Sequence, residues 1–167
     1  MIVHFTLYKP HRFRGAGISK FIYWLTFFQA KTGHKVEVYY FSRNDDYEVP
    51  KGVKIVRLKK PIFRFFFSIR LILKLYRNKP NLAILHGSFL PEMWSVHIIL
   101  KIMNIPYIVI PHGSLSSFVM KKDDVLIKKI YTKLFEFPML KYSNFIFRTV
   151  CSKGSSAYSS SHSKIGS

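Results

Sequence analysis

Two histidine–glycine pairs carry the side chains best suited to chemistry, His112-Gly113 and His86-Gly87. Each ends a short apolar run: Pro106-Tyr-Ile-Val-Ile-Pro111 in one case, Leu82-Ala-Ile-Leu85 in the other. Imidazole can donate a hydrogen bond to a hydroxyl or help stabilise a departing phosphate. The adjoining glycine lets a ligand approach the backbone closely. His112 is therefore the first candidate for a catalytic residue, with Gly113 and Ser114 as substrate contacts beside it. The competing reading is a histidine that only caps a strand end. His86 and Gly87 line the same cleft or form a structural turn. His4 and His34 read as structural.

Such runs are too short for helices and match strands buried on both faces of a parallel sheet. Open α/β sheets bind ligands beyond the carboxyl ends of their strands. Strand and helix patterns alternate along the chain. Strands are predicted over Ile2–Leu7, Val36–Phe41, Val53–Leu58, Leu82–Leu85, Pro106–Ile110 and Asn144–Val150. Helices are predicted over Ile18–Thr32, Ile62–Arg77 and Pro91–Met103, with a fourth from Asp123 or Asp124 towards Lys141, kinked at Pro138. Gly33 suits the end of the first. The alternation predicts an α/β fold, a Rossmann-like parallel sheet with helices on both faces.

The chain of 167 residues is long enough for one domain with a core. Its N-terminus reads as a first strand and not as a signal peptide. No apolar stretch reaches the roughly 18 residues of a membrane span. A single cysteine, Cys151, excludes an internal disulfide and fits a reducing compartment. The net charge of +19 implies an anionic partner: nucleic acid, a phosphate-rich ligand or an anionic membrane. From Cys151 to Ser167 the chain is serine-rich and aperiodic, which predicts a disordered tail. The abrupt change of composition fits a shifted reading frame near Arg148–Cys151, or else a flexible tail. The expected division is a domain over 1–150 and a tail over 151–167.

Arg14, Gly15 and Gly17 lie where the first strand passes into the first helix. Backbone amides at a helix N-terminus make an anion site, and arginine pairs with phosphate through two parallel hydrogen bonds. A tight turn with solvated cations is the plainer alternative. Arg64, Phe66, Arg70, Lys74 and Arg77 give the second helix a basic, aromatic character. Such a helix can lie on an anionic bilayer, or pack its apolar side on the sheet with its cations in water. The carboxylate pairs Asp45-Asp46 and Asp123-Asp124 read as loop or cap features, and no metal set is seen.

Taken together, Gly15-Ala-Gly17-Ile18, Gly33-His34-Lys-Val36, Pro80-Asn-Leu-Ala-Ile-Leu-His86, Pro106-Tyr-Ile-Val-Ile-Pro-His112-Gly113-Ser-Leu115, Lys128-Lys-Ile-Tyr-Thr-Lys-Leu-Phe-Glu136 and Asn144-Phe-Ile-Phe147 resemble the N-terminal domain of a GT-B glycosyltransferase of family 4. Members of that type build bacterial surface polysaccharides such as lipopolysaccharide. The resemblance covers about residues 1–149. It implies one half of a GT-B fold, on the acceptor side of a cleft between two Rossmann-like domains. It implies retaining transfer of a sugar from a nucleotide-sugar donor to a glycan or lipid-linked acceptor, without a bound metal or other cofactor. A second domain would bind most of the donor, so residues 1–167 alone would turn over little or nothing. A cytoplasmic protein, peripheral on the plasma membrane, is implied, and nucleic acid is not an expected partner. The competing readings are a basic nucleic-acid-binding module, against which no helix-turn-helix, zinc-finger or RNA-binding signature is seen, and a non-functional product of a disrupted gene.

Overall fold

The structure, a computed structural model, describes residues 1–13, 17–41, 48–58, 69–87, 90–112, 130, 132–143 and 145–146. Six parallel strands form one sheet: β1 (Ile2–Thr6), β2 (Val36–Phe41), β3 (Val53–Leu58), β4 (Leu82–His86), β5 (Tyr107–Ile110) and β6 (Phe145–Ile146). Their spatial order is β3-β2-β1-β4-β5-β6. Helix α1 (Gly17–Lys31) joins β1 to β2, α2 (Ile69–Asn78) precedes β4, and α3 (Pro91–Ile102) joins β4 to β5. A π-helical turn, Thr132–Glu136, runs into the short α4 (Phe137–Lys141).

This is the predicted Rossmann-like α/β architecture. Alternation along the strands sorts side chains to two faces. Val3 and Phe5 of β1, Leu85 of β4 and Val109 of β5 enter a large core with Leu71 and Leu75 of α2, Met93 and Leu100 of α3, and Met139 of α4. On the opposite face, Val36, Val38 and Val53 form a smaller cluster with Ala30 of α1. Strand order reverses direction at β1, so α1 and the later helices take opposite faces, as right-handed crossovers require.

Local chemistry sets the boundaries. Gly33, at φ +86°, ends α1 in the left-handed conformation, and His34 N–H donates to the Gln29 carbonyl at 3.1 Å. Pro91 opens α3, where its missing N–H costs nothing. Pro138 sits one residue into α4, where the helix passes from π to α geometry. Residues 62–68, the start of the fourth predicted helix at Asp123 or Asp124, most of the sixth predicted strand and the serine-rich tail lie outside the described residues.

Candidate functional site

The strand order turns back between β1 and β4, and the crevice beyond their carboxyl ends is where such sheets bind ligands. Three histidines converge there from three adjacent strands. His4 comes from β1, His86 ends β4, and His112 follows β5 after Pro111. His4 Nδ1 lies 2.9 Å from His86 Nε2, and His86 Nδ1 lies 3.0 Å from His112 Nε2. The first and second rings are 15° from parallel with centroids 5.2 Å apart; the second and third are 17° and 5.3 Å. With nitrogens this close, the rings meet edge to edge in nearly one plane, the arrangement in which ring lone pairs and N–H bonds point at each other. At the inner end, His4 Nε2 meets Gln29 Oε1 of α1 at 2.7 Å.

Burial decides the charge of this chain. His4 and His86 have no exposed surface. Desolvation lowers the His4 pKa to about 4 against a smaller opposing effect of Gln29. Desolvation lowers His86 well below its ordinary value too, reinforced by repulsion from His4 and His112. Half-buried His112 falls to about 4 for the same principal reason. All three are neutral at pH 7. Phe21 of α1 sets its ring edge-on against both His112 and His86, at 5.2 and 6.3 Å. Tyr8, just past β1, sits edge-on to His112 at 6.4 Å.

The backbone here is unusual. His112 adopts φ +50°, a left-handed conformation that is uncommon outside glycine. That turn aims its ring back over the sheet end towards His86. Gly87 has φ +102°, and a Cβ there would sit 2.8 Å from Leu90 Cδ1 and 3.4 Å from Tyr8 Cε2. Its N–H donates to the Ile110 carbonyl at 2.9 Å, tying β4 to β5 at the site. Gly87 is thus required by a turn, whatever else it contacts.

Of the residues singled out from sequence, His112, His86 and Gly87 come together at the crevice. Gly17 opens α1, with nothing near the position of a Cβ. Arg14, Gly15, Gly113, Ser114, Arg64 and Phe66 lie outside the described residues. On α2, Leu71 and Leu75 are buried in the core, and Lys74 holds its ammonium 5.2 Å from the buried Tyr39 ring. Arg77 is exposed beside an outward stripe of Ile69, Leu73 and Tyr76. Arg70 belongs to the same helix. Sequence reasoning missed Gln29, Phe21 and Tyr8 altogether and assigned His4 a purely structural role. The one available signal was a histidine inside the apolar run Ile2-Val-His-Phe5.

A groove of about 460 Å³ opens elsewhere, at the amino ends of β4 and β5, lined by Tyr76, Lys79, Ile102 and Met103 among others. It lies at the opposite end of the strands from His112 and is not the candidate site. Among the described residues no group of three or more His, Cys, Asp or Glu is placed to hold a metal. Residues 15–153 match the family model Glycosyltransferase Family 4. None of the curated proteins compared with the chain matches it.

Proposed function

The chain belongs to glycosyltransferase family 4, and we propose that it is the acceptor-side domain of a retaining GT-B enzyme in which His112 contacts the transferred sugar or its phosphate. The observation that carries this reading is the hydrogen-bonded chain of His4, His86 and His112, delivered to the topological switch point of a parallel sheet. Ligands bind at that point in sheets of this kind. A neutral imidazole can accept or donate a hydrogen bond to a hydroxyl without the cost of burying a charge. The donor is a nucleotide-sugar, held mainly by a second domain across the cleft. Gly17 opens α1 on the near side of that cleft, and Arg14, Gly15, Gly113 and Ser114 are its further proposed substrate contacts.

The test is His112→Ala in the domain paired with a donor-binding domain. Transfer is expected to fall about 100-fold or more, the usual scale for losing one positioned proton-handling group. Activity within a few-fold of the parent would exclude His112 from the chemistry.

The acceptor is a lipid-linked glycan of the bacterial surface-polysaccharide type, met at an anionic membrane. Among the described residues no helix is long and apolar enough to cross a bilayer. Support comes from α2, whose outer surface combines Ile69, 74% exposed, Leu73 and Tyr76 with Arg77. Aromatic and aliphatic groups beside cations suit an anionic interface. The chain's charge of +19 favours it further. Vesicles with anionic lipid are expected to bind the protein and neutral vesicles to bind it weakly. Leu73→Glu, on the outer stripe, is expected to reduce anionic binding several-fold. Equal affinity for both vesicle types, or preference for RNA at moderate salt, would reject the membrane reading.

A further inference from the structure

The two inner histidines use both ring nitrogens, and this couples all three rings. A neutral imidazole has one N–H and one lone pair. His4 and His86 each spend one nitrogen on either neighbour. Every contact in the chain needs one proton and one lone pair. A mixed arrangement would set two protons or two lone pairs against each other, leaving buried groups unsatisfied at about 1–3 kcal/mol each. Only two neutral arrangements satisfy both ring-to-ring contacts. All protons sit on Nε2, or all sit on Nδ1.

The inner terminus chooses between them. Gln29 turns its Oε1 to His4 Nε2 at 2.7 Å, and an amide oxygen can only accept. His4 therefore donates from Nε2 and accepts at Nδ1. His86 donates from Nε2 to His4 and accepts at Nδ1, and His112 donates from Nε2 to His86. The Nδ1 of His112 is left with its lone pair, and it has no hydrogen-bond partner among the described residues. Gln29 is neutral, so it selects a direction without drawing a proton into the buried end of the chain. Its backbone is fixed as well: its carbonyl accepts from Thr32 Oγ1 at 2.9 Å and from the His34 N–H at the end of α1.

We propose that Gln29, acting through His4 and His86, is a positioning residue that fixes which nitrogen of His112 carries the proton. His112 thereby presents Nδ1 to the crevice as an acceptor for a substrate hydroxyl. The identity of that hydroxyl as a sugar's rests on the function proposed above; the proton arrangement does not. No covalent step is involved.

The test is ring-nitrogen NMR of the full chain carrying ¹⁵N-histidine, at pH 7.5 and without substrate. His4, His86 and His112 are each expected to show a protonated Nε2 and a bare Nδ1. Gln29→Met offers no acceptor and is expected to shift the His112 Nδ1 signal from the bare position towards the protonated one. The buried His97 on α3 reports that the fold is intact. A protonated Nδ1 on His112 in the parent protein would overturn the proposal, and so would an unmoved His112 spectrum in a folded Gln29→Met. If that variant does not fold, the parent spectrum still decides the direction. Loss of the transfer reading, shown by an active His112→Ala, would leave these spectra unchanged, so the two failures are distinguishable.

Discussion

Lowering the pH from 7.5 to 4.5 is expected to unfold this protein, and buried histidines are the reason. In the unfolded chain each histidine takes up a proton near pH 6.5. In the native state His4 and His97 refuse one until about pH 4, both through desolvation, with repulsion from Lys101 adding to the effect at His97. His86 is also held well below its ordinary value, by desolvation and by repulsion from His4 and His112. The unfolded state therefore binds more protons between these limits, and stability falls as pH falls through that window. Above pH 6.5 these rings add no pH dependence, and below about 4 the loss from His4 and His97 is complete. For a fully buried ring the drop from 6.5 to about 4 corresponds to about 3 kcal/mol. Two or three such rings rival the roughly 5–15 kcal/mol that holds a whole domain together.

A competing cause must be separated from this one. The chain carries +19 at neutral pH, and protonating carboxylates on acidification adds to its self-repulsion. Salt screens surface repulsion but does not relieve the desolvation of a buried imidazole. Thermal melts between pH 7.5 and 5 in high salt should still fall steeply. His97→Phe should remove part of the slope, because the His97 Nδ1 is buried without a hydrogen-bond partner. A melting temperature that stays level from pH 7.5 to 5 would show that these rings are not held neutral.

The frame of the fold was legible because it depends on local pattern. Alternating apolar runs and helical spacing placed β1 to β5 and α1 to α3 within a residue or two wherever the chain is described. Gly33 and Pro91 marked helix ends for stereochemical reasons that hold in any context. The histidine chain was not legible, because its contacts are long-range. His4 and His86 are 82 residues apart, and only the order that sets β1 beside β4 joins them. Gln29 looks like any polar residue near a helix end; its role needs the angle at which α1 crosses the sheet. Lys74 shows the same limit. Spacing grouped it with Arg70 and Arg77, whereas its ammonium lies against the Tyr39 ring.

His86→Ala is expected to be the most damaging single substitution at the site, for a reason that bears on what the chain is for. The ring has no exposed surface and bridges two others. Its removal leaves a cavity and deprives His4 Nδ1 and His112 Nε2 of their partners, together costing about 4 kcal/mol. His86→Leu fills the space and gains about 2 kcal/mol of apolar burial, but the two orphaned nitrogens offset that gain. Converting the buried pair, His4→Leu with His86→Leu, removes both sides of the inner contact and moves the two partnerless groups to Gln29 and His112, which are only half-buried, so the protein should return to within about 1 kcal/mol of the parent. Urea unfolding of the parent, the two His86 variants, His4→Leu and the double variant at pH 7.5 provides the comparison. If the double variant recovers, stability does not require histidines here, and what leucines cannot supply is a hydrogen-bonded, oriented His112. A double variant as unstable as the sum of its single changes would instead make the three rings a structural necessity, with no separate role for their outer end.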